Sequence, residues 1–174
     1  MTEHKIIDNF LPLDVFDKLK TFLLPVDHKK GVEQMPWYYV PDPLSNIINH
    51  TKVDWRLFYL YHIIYEHTIT SPFYERVVPY YWEQLNIKSL IRIKINMYPN
   101  TETLKEHGMH MDYSFLHKAG IFSINTCNGY TKLEDGTKID SVANRMLLFD
   151  ASTPHCSTTT SDTTARFNIN FNYF

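Results

Sequence analysis

Between residues 90 and 98 the chain alternates with a period of two. Ile91, Ile93, Ile95 and Met97 fall on one side, and Arg92, Lys94, Asn96 and Tyr98 on the other. Successive side chains of a strand point to opposite faces, so this stretch reads as β and not as helix. Further short strands are predicted near 108–112, 120–127, 130–133, 145–150, 155–159 and 165–173. Turn signals punctuate them at Asn128-Gly129, Glu134-Asp135-Gly136 and Ser161-Asp162. Short strands so evenly spaced predict a sandwich or a jelly-roll barrel. The aromatic content of 15%, with 12 Tyr and 11 Phe, favours strands as well.

Upstream the pattern is mixed. Lys5-Ile6-Ile7-Asp8 reads as a short strand, followed by an amphipathic helix with Leu13, Phe16, Leu19, Phe22 and Leu23 on its inner side. Residues 25–35 read as a polar loop in which Lys29 and Lys30 are solvated charges, and 44–54 as irregular. Trp37-Tyr38-Tyr39-Val40 is a strand closed off by Pro41-Asp42-Pro43. Residues 55–65, apolar on both faces, predict a buried strand. Ser71-Pro72 opens a predicted helix over 72–86, with Phe73, Val77, Val78, Tyr81 and Trp82 facing inward. The expectation is one α+β, mainly β domain over 1–174: a helix-rich support at 1–88 and a jelly-roll core at 89–174.

At 174 residues such a domain buries a full core. A net charge of −2 makes nucleic acid the less expected partner. Two cysteines, Cys127 and Cys156, suit a reduced cytoplasmic setting. Neither a signal peptide nor an 18-residue apolar run is visible, so the expectation is a soluble protein with no membrane partner.

His110-Met111-Asp112 places an imidazole and a carboxylate on one face if the stretch is a strand. His155 returns in Thr153-Pro154-His155, and Arg166 follows eleven positions later. Two histidines and one carboxylate with open positions suit non-haem Fe(II). A lone histidine is more often structural; the ordered set favours a metal site. His107, at odd spacing from His110, is expected to face away. Arg166, Asn168, Asn170 and Asn172 alternate with Phe167, Ile169, Phe171 and Tyr173. On a barrel interior that polar face needs partners, and a guanidinium grips a carboxylate bidentately. Asn96 and Tyr98 either donate to such a dicarboxylate or merely pair across strands. Arg92 and Lys94 read as a solvated strand surface in preference to a small basic patch at a mouth.

Asn96-Met97-Tyr98, His110-Met111-Asp112, Arg145-Met146-Leu147-Leu148-Phe149, His155 and Arg166 together resemble the Fe(II)- and 2-oxoglutarate-dependent dioxygenases. The likeness is greatest to the small prolyl-hydroxylase-like branch, and Ile6-Ile7-Asp8-Asn9-Phe10-Leu11-Pro12 is similar to that branch's entry strand and helix. The C-terminal half also resembles small oxygenases encoded by tailed phages, for which the setting would be the host cytoplasm. Some animal collagen-type members carry lysine where this chain has Arg166. The resemblance implies a double-stranded β-helix with helices outside, and Fe(II) held by His110, Asp112 and His155. It implies 2-oxoglutarate gripped at its distal carboxylate by Arg166, with Tyr98 or Asn170 assisting. It further implies O2 as oxidant, ascorbate as a supporting reductant, and succinate and CO2 as co-products of a hydroxylation. Peptidyl proline or another protein side chain is the first expected substrate, a small metabolite the second. Loops 99–107 and 112–120, with residues 25–55, are expected to shape the mouth. Two other classes fit the residues alone: a redox-silent cupin-like metal protein binding or isomerising a small acid, and a non-enzymatic β-sandwich module.

Overall fold

A computed structural model describes residues 3–24, 35–41 and 57–174. The elements run β1 (His4–Ile7), α1 (Leu13–Leu23), β2 (Tyr38–Pro41), β3 (Phe58–Glu66), α2 (Tyr74–Val77), α3 (Pro79–Trp82) and β4 (Leu90–Pro99). They continue as β5 (Lys118–Ser123), β6 (Tyr130–Leu133), β7 (Lys138–Asp140), β8 (Arg145–Asp150), β9 (His155–Ser157) and β10 (Ala165–Tyr173). A seven-stranded sheet has the order β1-β8-β5-β10-β4-β3-β2, and a three-stranded sheet the order β7-β6-β9. Every strand pairing is antiparallel. The architecture is the mainly-β double-stranded β-helix, with the helices packed outside it.

The alternation in β4 and β10 sorts side chains into two cores. Ile93, Ile95, Ile169, Phe171 and Tyr173 join Phe16, Leu19, Val77 and Tyr81 in a large cluster between the big sheet and the helical layer. Phe122 from β5 is its hub, fully buried, with ring centroids 5.2 Å from Tyr81, 6.0 Å from Phe16 and 6.1 Å from Phe10. A smaller cluster of Ile121, Leu133, Ile139, Leu147 and Phe149 draws on both sheets and closes one side of the interior. The rest of the inner face is polar: Arg166 pairs with Tyr98, Asn168 with Asn96, Asn170 with Lys94 and Asn172 with Arg92.

The N-terminal segment is tied down by Asn144, whose φ of 61° is one that Asn tolerates better than most residues. Its amide accepts from the Leu11 N–H at 2.9 Å and donates to the Leu11 carbonyl at 2.8 Å. Arg145 adds a bidentate pair to Asp8, at 2.6 and 3.0 Å.

Several expectations need correcting. The predicted helix over 72–86 is two short helices, because Pro79 removes a backbone donor and starts a new turn. Trp82, predicted inward, is exposed, and so is Leu13. Residues 108–112 are not a strand; they make a single bridge, between His110 and His155. The strands predicted at 120–127 and 155–159 end at Ser123 and Ser157. β7 escaped notice because it is so short; it joins β6 through a turn in which Gly136 has φ of 87°. Pro41 ends β2 instead of following it, which an edge strand permits. The polar loop with Lys29 and Lys30, and the irregular 44–54, fall outside the described residues apart from Met35 at the loop's end. Among the described residues no helix is long and apolar enough to cross a membrane.

Candidate metal centre

His110 and His155 reach each other through backbone pairing. The His110 N–H donates to the His155 carbonyl at 2.9 Å, and the His155 N–H returns the bond at 2.8 Å. The two imidazoles therefore leave directly opposed positions, with ring centroids 4.8 Å apart. Asp112 joins them: the ligand atoms of His110, Asp112 and His155 all lie within 4.8 Å of one another. Each histidine's Nδ1 is within reach of a main-chain carbonyl, Gly108 at 3.2 Å and Thr153 at 3.0 Å. A carbonyl only accepts, so Nδ1 carries the proton and Nε2 keeps its lone pair for the centre.

The carboxylate is held from both sides. Arg92 Nη2 donates to Asp112 Oδ1 at 2.7 Å, while the amides of Asn170 and Asn172 each donate to Oδ2 at 3.0 Å. Burial works to raise the Asp112 pKa; the Arg92 guanidinium, then His155, Lys94 and Asn172, outweigh it and hold the carboxyl well below the usual range. Burial pushes the His155 imidazole down, against the pull of Asp112. The donors on offer are thus an ionised carboxylate and the Nε2 atoms of two imidazoles. That set fits a divalent ion of the Fe(II) type, with positions left over for other ligands.

Arg166 lies 1% exposed at the start of β10. Its guanidinium sits over the Tyr98 ring, 5.4 Å from the centroid. Nη1 donates to the Thr158 carbonyl at 3.3 Å and Nη2 to Thr131 Oγ1 at 3.0 Å, both neutral acceptors. Among the described residues Nε has no partner, nor has Asn168 Nδ2 two residues along the same face. A buried cation without a counter-charge costs several kcal/mol, on the order of its effective desolvation penalty. The spare donors and the missing charge fit a bound carboxylate.

Gly129 is what lets the guanidinium stem lie there. A Cβ at that position would stand 2.7 Å from Arg166 Cδ and 2.7 Å from the Thr159 carbonyl oxygen. Gly129→Ala is expected to destabilise the protein by about 1–3 kcal/mol through overpacking. It should also weaken anion binding at Arg166, and paired denaturant and ligand titrations check both.

A cavity of about 260 Å³ opens beside the ligands, lined by Tyr59, Arg92, Lys94, Tyr98, His107, His110 and Asp112 among others. A narrower recess carries Asn96, Tyr98, Asn168 and Asn170 against the same ligands. A larger cavity, about 550 Å³ around Lys5, Leu85, Lys118 and Leu148, touches none of the three ligands. Converging ligand atoms mark the site better than volume does.

Arg92 and Lys94 are therefore not a solvated surface. They line the interior, and burial, with the charge of Arg92 next, pushes the Lys94 ammonium down to about 8. His107 also faces this cavity, because 107–110 is irregular around Gly108 and the odd-spacing rule fails there. Its ring packs on Tyr98 at 5.1 Å, outside the ligand cluster. Asn96 Nδ2 donates to Asn168 Oδ1 at 2.9 Å, and Asn170 is engaged with Asp112. Sequence reasoning did not single out Asn168 and Asn172, although the period of two in β10 already put them on the Arg166 face.

The fold is a double-stranded β-helix, and two imidazoles and a carboxylate converge inside it. No protein-family model and no curated protein sequence matches the chain. Solved structures do. An oxidoreductase of the 2OG-Fe(II) oxygenase family from Burkholderia pseudomallei aligns with a TM-score of 0.67 at 10% identity, over 98% of this chain and 84% of that one. A prolyl hydroxylase from Trichoplax adhaerens, in complex with a hypoxia inducible factor oxygen degradation domain peptide fragment, gives 0.63 at 15% identity, over 98% and 83%. A viral collagen prolyl hydroxylase from Paramecium Bursaria Chlorella virus-1, as a 2OG complex, gives 0.56 at 12% identity, over 97% and 94%. At these identities the likeness is one of fold.

Proposed function

We propose that this protein is an Fe(II)- and 2-oxoglutarate-dependent dioxygenase that hydroxylates a C–H bond, with a peptide or protein side chain such as proline as first substrate class. The observation that carries this reading is the pairing of three converging ligand atoms with Arg166, a buried cation that has no carboxylate partner among the described residues. With Fe(II), 2-oxoglutarate and O2 bound, the centre would supply oxidative decarboxylation of the keto acid to succinate and CO2, and delivery of the second oxygen atom to the substrate.

The chain's own residues orient and exclude. His110, Asp112 and His155 would hold the ion, the Nδ1–carbonyl bonds of the two histidines fixing their imidazoles. Arg92, Asn170 and Asn172 hold the Asp112 carboxylate in place, as outer partners of a metal ligand do. Arg166 Nε and Asn168 Nδ2 receive the distal carboxylate, and Tyr98 covers the guanidinium and keeps water from it. Asn96 completes the recess through its bond to Asn168. Ascorbate serves as a supporting reductant. The Trichoplax structure, which carries a peptide, supports a peptide substrate, while a net charge of −2 weighs against nucleic acid. Cys127 and Cys156 are free and buried, in keeping with a cytoplasmic setting. We assign the whole function to one unit spanning 1–174.

The test is direct. Purified protein reconstituted with Fe(II) should bind one ion and one 2-oxoglutarate per chain and form succinate under air with ascorbate. Asp112→Ala should weaken Fe(II) binding by more than the ~10–100-fold that loss of an outer partner costs. Iron-loaded wild type that binds no 2-oxoglutarate by calorimetry defeats the proposal.

A further inference from the structure

Lys94, on the inner face of β4, helps by its charge to keep Asp112 ionised, but the reading above gives it no bonded partner. It sits in β4 opposite Asn170 of β10, the residue whose amide holds Asp112, and it lines both the recess and the 260 Å³ cavity. Among the described residues its ammonium takes no hydrogen-bond acceptor; it lies over the rings of Tyr59 at 5.6 Å and Tyr61 at 5.9 Å. Asp112 and Glu66 are the acids whose fields reach it, yet neither pairs with it, and Asp112 is taken by Arg92 at 2.7 Å.

The charges can be followed from there, on the dioxygenase reading. Arg92 and Asp112 offset each other. One negative charge of 2-oxoglutarate answers Arg166 and the other only part of the charge of the divalent ion, so neither is left for Lys94. Asp112 cannot also serve Lys94, so a positive charge is left facing the cavity. A buried charge without a partner is costly, and a ligand that supplies the partner recovers that cost on binding. A lysine presents a compact point charge with three donors, suited to a carboxylate or phosphate oxygen. The cavity is just under the ~300–1,000 Å³ of sites for drug-sized ligands, so it suits one side chain or a small metabolite.

We propose that this cavity selects a substrate carrying an anionic group, carboxylate or phosphate, which Lys94 binds beside the bond to be hydroxylated. The proposal rests on the dioxygenase reading for the chemistry, and its test separates the two. Protein loaded anaerobically with Fe(II) is first titrated with 2-oxoglutarate; failure at this step refutes the dioxygenase reading and leaves Lys94 to be judged by the next one. The protein is then titrated with N-acetylglutamic acid amide against its glutamine counterpart, and N-acetylphosphoserine amide against its serine counterpart.

At least one acid is expected to bind about 10-fold or more tighter than its neutral counterpart, and the tighter acid tells carboxylate from phosphate. Lys94→Met should bring that acid down to the neutral level while leaving 2-oxoglutarate affinity within about 2-fold, and Lys94→Arg should keep the preference. Methionine replaces an unpaired buried charge by an apolar chain of similar length, so the fold is expected to hold, and Lys94→Gln stands in if it does not. The proposal is overturned if acids and neutral counterparts bind alike, if neither acid binds below ~10 mM, or if Lys94→Met keeps the preference. A 10-fold or greater loss of 2-oxoglutarate affinity in Lys94→Met also overturns it, by moving the lysine into co-substrate binding.

Discussion

Arg166→Met is expected to weaken 2-oxoglutarate binding by about 30- to 5,000-fold while leaving Fe(II) binding in place. The range is that of removing one partner from a buried, hydrogen-bonded charge pair, about 2–5 kcal/mol. The residue is 1% exposed, and its own acceptors, the Thr158 carbonyl and Thr131 Oγ1, are neutral. Among the described residues no ion pair is lost, so the apo protein should keep or gain stability when the charge goes. Calorimetry of the keto acid into metal-loaded wild type and variant reads the first effect, and denaturant unfolding without ligand reads the second. Arg166→Lys should recover only part of the affinity, because an ammonium cannot offer the forked donors of a guanidinium. A variant that binds 2-oxoglutarate as the wild type does would take Arg166 out of the site.

The second large effect is on stability. Phe122→Ala should cost about 3–5 kcal/mol, a sizeable share of the ~5–15 kcal/mol that holds a domain together. Phe122 is fully buried, and Phe10, Phe16 and Tyr81 all pack on its ring, so no single neighbour can close the gap. Those neighbours come from the entry segment, α1 and α3, so the loss falls on the contact between helical layer and big sheet. Urea unfolding followed by both near- and far-ultraviolet dichroism should show the midpoint falling with little change in slope. Phe115→Ala is the control: that ring is 45% exposed and its loss should stay within about 0.5 kcal/mol. Equal effects at the two positions would contradict the hub assigned to Phe122.

Much of the architecture was legible because side-chain alternation is local. β4 and β10 were readable from their period of two, and β6 and β8 have the predicted limits. The single helix expected over 72–86 from its start signal and apolar stripe is interrupted at Pro79, which ends one turn and starts the next. His110 and Asp112 do converge, though not by the route expected. Residues 108–112 are irregular, and the pairing of His110 with His155 brings the side chains together. The same irregularity turned His107 toward the cavity.

The lesson of Arg92 and Lys94 is the sharper one. A period of two says that a strand has two faces; it does not say which one is covered. Both faces of β4 are covered, one by the helical layer and the other by the barrel's own polar interior. By itself the order of residues determined β4, β6, β8 and β10 and the shared face of Arg166, Asn168, Asn170 and Asn172, because alternation depends on neighbours a few positions away, and it put forward His110, Asp112, His155 and Arg166 as candidates. Only the tertiary structure decided that Arg92 secures Asp112 and that Lys94 is left facing a cavity. Those relations join residues far apart in the chain, and burial and unmatched charge exist only once the sheets have closed around them.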